Sequence, residues 1–229
     1  MLKKLKYFLS DFYKRFKVSV NKIGVYHSLI LLLFEFYYDR KLKLSTPNLQ
    51  NNLENTIEES ILKDSHRNTN GSFYLFFKGI KKAGINPSES NFLDIGCGSG
   101  KIVVAAISKG FQKVIGIDLD KEGLQNATIA CTELVRRYRK TEFEIMNVDA
   151  ANFNIPISIN VIFMFNPFGE KTMHEVIKNI KKSFQLFPRR ICIIYQNPVF
   201  EKQFYDAGFK SIYRLIWSGN LEMNVFEQT

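Results

Sequence analysis

Three glycines at alternating positions, Gly96, Gly98 and Gly100, stand between a short apolar run (Phe92, Leu93, Ile95) and an apolar helical stretch that begins at Ile102. Glycine is needed where the backbone turns sharply and where a ligand must lie against main-chain atoms with no Cβ in the way. A helix start just beyond adds unpaired N–H groups and positive dipole character. Strand, glycine turn and helix in that order make a cradle for a nucleotide-bearing cofactor. A second β-branched run, Lys113 to Asp118, ends in a carboxylate 22 residues after Gly96. That is close to the ~20 expected between such a turn and an acid that accepts from two ribose hydroxyls. Asp118 therefore supports a nucleoside without choosing among cofactors. The glycine spacing chooses. Dinucleotide cradles usually show G-x-G-x-x-G, whereas here the third glycine comes one residue early and Asp94 stands just before the turn.

The elements that must position these residues follow a regular order. From Thr69 onward, strands are expected near 92–96, 113–118, 142–147, 159–165 and 190–196, with helices near 100–109, 121–139, 170–186 and 199–207. This alternation is the mark of a doubly wound parallel sheet. The tail breaks it: Lys210 to Trp217 and Leu221 to Phe226 flank Ser218-Gly219-Asn220, a hairpin signal. In open parallel sheets ligands bind at the carboxyl ends of strands. Asp149 follows the third strand, Asn166-Pro167-Phe168-Gly169 the fourth, and Tyr195-Gln196-Asn197-Pro198 the fifth. Asp149 also suits an Asx turn, and either Asn-Pro pair suits a plain turn.

Residues 1–68 lie outside this pattern as a helical extension, which leaves 69–229 as the cofactor-binding domain. Leu2, Leu5, Leu9, Phe12 and Phe16 recur at helical spacing, with lysines on the other sides. The expectation is that this stripe packs on the domain or on a second copy in a homodimer. The other option is that the basic helix meets an anionic membrane or a nucleic acid. Leu29 to Phe34 is intensely apolar yet too short to span a bilayer, which needs ~20 residues, and it carries Glu35 nearby. A buried helix or an interface is expected there, and no small-residue cleavage site follows that would make it a signal peptide. Thr46-Pro47 reads as the start of a polar helix to about Lys63, and His66 to Gly71 as a loop.

Composition narrows the class further. The 229 residues can bury one good core. Cys97, Cys131 and Cys192 are far apart, lack CxxC spacing and fall in apolar elements. They read as reduced core thiols of a cytoplasmic protein, with no disulfide framework and no metal site. The net charge of +10 fits either a solvated basic surface or an anionic partner.

The D-x-G-x-G-x-G turn from Asp94 to Gly100 resembles motif I of the class I S-adenosylmethionine (SAM) dependent methyltransferases. The Asn166-Pro167-Phe168 loop resembles motif IV of the amino-methyltransferases among them, with Phe168 at the second proline position. Together with Gly116-Ile117-Asp118, Asp149, Tyr195 to Pro198 and Tyr38-Asp39-Arg40, these motifs make residues 38–229 similar to a group of small bacterial class I methyltransferases. This chain departs from that group by having His66 where a tyrosine is usual and Lys101 where an arginine is common. The resemblance implies a Rossmann-like three-layer α/β core whose last strand inserts antiparallel, and SAM as cofactor. It implies that Gly96, Gly98 and Gly100 line the methionine and ribose region. Asp94 would hold the methionine ammonium, Asp118 the ribose diol and Asp149 the adenine amine. Asn166 and Phe168 would hold the methyl acceptor, a nitrogen or oxygen nucleophile on a small molecule, a protein or RNA. Two other classes remain: a SAM-binding accessory protein without turnover, and a nicotinamide-dependent oxidoreductase, which the glycine spacing and the hairpin tail disfavour.

Overall fold

The computed structural model describes residues 2–42, 71–138 and 141–229, with side chains from residue 17 on except at 18, 19, 22, 138 and 221. The Thr46-Pro47 helix, the loop around His66, the boundary at 68/69 and the side chains of Leu2, Leu5, Leu9, Phe12 and Phe16 lie outside the described residues. Six helices are described: α1 (Leu2–Leu42), α2 (Phe73–Lys82), α3 (Lys101–Lys109), α4 (Lys121–Tyr138), α5 (Glu170–Leu186) and α6 (Glu201–Asp206). The strands are β1 (Asn91–Ile95), β2 (Lys113–Asp118), β3 (Glu142–Asn147), β4 (Val161–Phe165), β5 (Ile191–Gln196), β6 (Lys210–Trp217) and β7 (Asn220–Gln228).

The seven strands form one sheet in the order β3-β2-β1-β4-β5-β7-β6. β1 to β5 pair in parallel, and β7 inserts antiparallel between β5 and β6. The expected fold, a parallel α/β sheet closed by a terminal antiparallel hairpin, is therefore the observed one. The hairpin turns on Ser218 (φ 48°) and Gly219 (φ 81°), two successive positive φ values that suit the right-handed twist of paired strands.

Successive strand side chains point to opposite faces, and the core divides accordingly. Phe92, Val114, Val161 and Ile194 join α2, α3 and α4 on one face. Leu93, Ile115, Ile162 and Ile193 join α5 and α6 on the other. Each central strand is buried on both faces, so it reads in sequence as an unbroken apolar run. All three cysteines are free and buried, as their apolar settings imply. Burial raises the thiol pKa of each, for Cys131 up to about 12.

α1 breaks its helical geometry at Gly24 (φ 80°, ψ 164°). The new half begins there, and Ser28 Oγ donates to the Gly24 carbonyl at 2.7 Å. Ile23, Leu31, Phe34, Tyr38 and Leu42 pack against the core, and His27 stacks on Trp217 with ring centroids 4.8 Å apart. Leu29 and Leu33 are exposed on the single chain, so of the two coverings expected for this run, the core and an interface, the core does not cover them. A helix that is apolar all round can place only one side against the domain.

Candidate functional site

The carboxyl ends of β1, β2 and β4 converge on the glycine turn. Gly96, Gly98 and Gly100 all take positive φ (80°, 49° and 79°), a region that costs other residues a Cβ clash. The Gly96 and Cys97 N–H groups both donate to the Ile117 carbonyl, at 2.9 and 3.0 Å. Gly100 lets α4 close in: a Cβ there would meet Ala127 Cβ at 2.6 Å. A Cβ on Gly96 would meet Pro167 Cβ at 2.5 Å. The glycine turn and the Asn166 loop, 70 residues apart in sequence, thus lie in direct contact.

Asp118 sits at the end of β2 as expected, and its carboxylate already has work in the fold. It accepts from Gly98 N at 2.7 Å, Leu119 N at 2.7 Å and Asp120 N at 2.9 Å. A carboxylate offers about four lone-pair positions, so three backbone donors leave limited capacity for a ligand. Asp94 has a different environment. It is 2% exposed, and among the described residues no donor is found for its carboxylate. Burial pushes its pKa well above the ordinary carboxylate value, and the neighbouring Asp118 carboxylate adds to the rise. A buried acid in this state calls for a cation or a hydrogen-bond donor from outside the protein. Asp149 caps the short turn Ala150–Asn152, accepting from Ala151 N at 2.9 Å and Asn152 Nδ2 at 2.8 Å. This is the Asx-turn geometry its sequence position also suited.

Asn166 takes φ 36°, a left-handed conformation that asparagine tolerates better than most residues. It is 8% exposed, and its Oδ1 accepts from the Tyr195 hydroxyl at 3.3 Å. The Tyr195 oxygen in turn accepts from Phe200 N at 3.4 Å. Burial raises the Tyr195 pKa to about 12, partly offset by that backbone donor, so the phenol keeps its proton. With the Tyr195 hydroxyl as donor, one of the two lone pairs of Asn166 Oδ1 is engaged. Phe168 is 7% exposed and packs in the core face that includes Met173 and Tyr195, so most of its ring is covered by the protein. Asn197 is exposed at φ 47°, and its N–H donates to the Glu222 carbonyl. The structure joins Tyr195 to Asn166 and leaves Asn197 at the surface.

Sequence reasoning missed a brace behind the turn. Glu35 of α1 accepts from Lys101 Nζ at 2.6 Å, Ser72 Oγ at 2.8 Å and Tyr74 N at 3.3 Å. It so ties α1 to the first turns of both α2 and α3. Gln196 holds the other side of Ser72, accepting from its N–H at 2.9 Å and donating to its carbonyl at 3.1 Å. The one available signal was a lone carboxylate inside an otherwise apolar helical run. A separate open groove of about 480 Å³ is lined by Glu170, Lys171, His174, Glu175 and Gln203 and includes none of the glycine-turn residues. Among the described residues no cluster of His, Cys, Asp and Glu could hold a metal ion, and no helix is long and apolar enough to cross a membrane.

Comparison with known proteins agrees with this architecture. A methyltransferase-domain family model matches residues 86–227. The type II methyltransferase M.VspI of Vibrio sp. (strain 343) is 30% identical over 124 residues, half of this chain and 29% of that protein. The ribosomal protein L11 methyltransferase of Vibrio campbellii is 53% identical over 38 residues, 17% of this chain and 13% of that protein. The chain thus spans less than a third of either curated relative. Among solved structures, the ribosomal protein L11 methylase of Lactobacillus delbrueckii subsp. bulgaricus superposes with TM-score 0.50 at 16% identity, over 66% of this chain and 75% of that one. TrmN of Thermus thermophilus does so with TM-score 0.50 at 22% identity, over 69% of this chain and 48% of that one. With the family model covering well over half of the sequence, and the sheet order and glycine turn agreeing with it, the chain belongs to the class I SAM-dependent methyltransferases.

Proposed function

We propose that the chain transfers a methyl group from SAM to a nitrogen or oxygen nucleophile held at the Asn166-Pro167-Phe168 loop. The observation that carries this reading is the contact between Gly96 and Pro167, in which a single added Cβ would overlap the proline ring. The loop that would hold an acceptor is seated on the turn that would hold the cofactor, which is the proximity a direct transfer needs.

The residues present fit SAM. The turn from Gly96 to Gly100 has a backbone without Cβ atoms on its three positive-φ glycines, and Asp94 is a buried acid lacking a described donor, suited to the methionine ammonium. Asp118 retains a lone-pair position for a ribose hydroxyl after its three backbone bonds. Asp149 lies beyond the neighbouring strand end, where an adenine amine is expected. Once bound, SAM supplies a methyl group already activated on a sulfonium, so the protein's own task is orientation and exclusion of water. Asn166 performs the orienting step. Its Oδ1, turned by the protonated Tyr195, accepts from an acceptor N–H or O–H and aims the nucleophile's lone pair. Phe168 anchors the loop from the core side and borders the acceptor with the small part of its ring left uncovered. As the nucleophile's bond to the methyl carbon forms, the carbon–sulfur bond would break to release a neutral thioether, and the proton then carried by the methylated nitrogen or oxygen would leave to water.

The test separates cofactor from acceptor. Asn166→Ala should leave SAM affinity in calorimetry within a few fold and cut release of S-adenosylhomocysteine by more than about tenfold, the pattern of a lost transition-state contact. Full turnover by that variant would make the loop a plain turn. SAM binding with no turnover on small-molecule, protein or RNA fractions would make the chain an accessory binder.

A further inference from the structure

The second half of α1 presents two different faces. Inward, Leu31, Phe34, Tyr38 and Leu42 pack on the core and Glu35 holds Lys101. Outward, Val25, Tyr26, Leu29, Leu33 and Tyr37 are 44–72% exposed. At 3.6 residues per turn these five fall within an arc of about 120°, and Glu35 lies about 140° from its centre. Arg40 projects into the same arc with its guanidinium 4.3 Å from the Phe36 ring, and the Lys41 ammonium is 5.5 Å from the Tyr37 ring at its border. The two acids of this half, Glu35 and Asp39, are both half-buried. The first half of the helix carries seven lysines and arginines against one acid, Asp11.

Five large apolar side chains on one exposed arc form a patch that soluble monomers seldom leave without a partner. Charge selects the occupant. A symmetric contact with a second copy would bring two basic helices together, at a repulsive cost. A nucleic acid would satisfy the charge and leave the aliphatic side chains uncovered. An anionic bilayer satisfies both: Val25, Leu29 and Leu33 enter the acyl boundary, the tyrosines sit at headgroup depth, and Arg40 and Lys41 reach the lipid phosphates. We propose that α1 docks the protein on an anionic lipid surface through Val25, Tyr26, Leu29, Leu33 and Tyr37, lying in the interface rather than crossing it. Because Glu35 on the opposite side grips Lys101, the glycine turn next to Lys101 then lies about one helix diameter, ~10 Å, from the lipid.

The experiment is co-sedimentation of the full chain with phosphatidylcholine vesicles, with and without about one-third phosphatidylglycerol, at about 0.1 M and about 1 M salt. Binding should require the anionic lipid and weaken at high salt. Leu29→Glu with Leu33→Glu should lower the bound-to-free ratio at least tenfold, with melting temperature and SAM affinity unchanged, since both side chains are exposed. Should that pair unfold the chain, Val25→Ser with Leu29→Ser carries the same test. Absence of vesicle binding, binding that survives the substitutions, or a dimer in light scattering that the substitutions split would each overturn the proposal.

Discussion

Replacing Gly96 by alanine tests the central geometric claim, that the glycine turn and the Asn166 loop are one unit. Two costs arise. Gly96 stands at φ 80°, where an alanine loses about 1–2 kcal/mol to its own backbone. Its Cβ would also lie 2.5 Å from Pro167 Cβ and 3.3 Å from Pro167 Cγ, against 3.4–4 Å for ordinary contact. The pyrrolidine ring fixes that Cβ to the main chain, so it cannot swing aside, and overpacking of this kind costs about 1–3 kcal/mol. Urea unfolding of Gly96→Ala should therefore show a loss of about 2–5 kcal/mol, a large share of the ~5–15 kcal/mol that holds a domain together. The two costs separate in a double-mutant cycle. Pro167→Gly removes the obstructing ring, so alanine at 96 in that background should cost only the backbone share. The coupling energy should then be about 1–3 kcal/mol. The single variant should also lose turnover more than SAM affinity, because a displaced Pro167 carries Asn166 with it. Effects that add to within about 0.5 kcal/mol would refute the contact and with it the argument for proximity.

Asp94 predicts opposite pH trends for stability and binding. Its pKa is raised by burial first and by Asp118 second, so the folded state binds more protons than the unfolded one. Stability is then fully present below the usual carboxylate range and falls as pH climbs through the raised value. Asp94→Asn should melt higher than the parent at pH 8, lose that slope, and bind SAM more weakly, whereas parent affinity should rise with pH. A parallel pH profile for the two proteins would contradict this. Asp118→Ala should weaken SAM and S-adenosylhomocysteine alike by about tenfold or more and also lower the melting temperature, since three backbone N–H groups lose their acceptor. Unchanged calorimetry would remove Asp118 from the cofactor site, and tighter binding of NAD than of SAM would overturn the assignment of SAM as cofactor. Glu35→Gln should destabilise by about 1–3 kcal/mol and Glu35→Asp by less. A neutral result would show that α1 does not brace the turn.

The strands and the glycine turn were legible because their physics is local. A parallel strand buried on both faces must be apolar throughout, and a turn at φ near 80° must be glycine. β1, β2, β4 and β5 accordingly fall within two residues of their expected bounds, as does α5. The hairpin announced itself through Ser218 and Gly219. The partners of those elements were not legible. Asp118 was placed by its spacing, yet its three backbone bonds depend on where the turn folds back. Tyr195 and Asn166, 29 residues apart, meet only because β4 and β5 are adjacent and in register, Met164 opposite Tyr195. Ser72 and Gln196 are separated by 124 residues, and no periodicity reaches across such a gap.

α1 is where pattern and structure part for a physical reason. The run from Leu29 to Phe34 has no polar side in sequence, and a helix apolar on every face is ordinarily buried on every face. Here the domain offers it one side only, formed by α2, α3 and β6. Glu35 sets which side that is. Its carboxylate must reach Lys101 and the start of α2, and that requirement fixes the rotation of the helix about its axis. Val25, Leu29, Leu33 and Tyr37, at steps of four, are then turned away from the core. The same ion pair that holds the glycine turn thus determines which apolar residues remain for a partner. A substitution at Glu35 should consequently disturb both cofactor affinity and the presentation of the outer face, whereas one at Leu29 or Leu33 should touch the outer face alone.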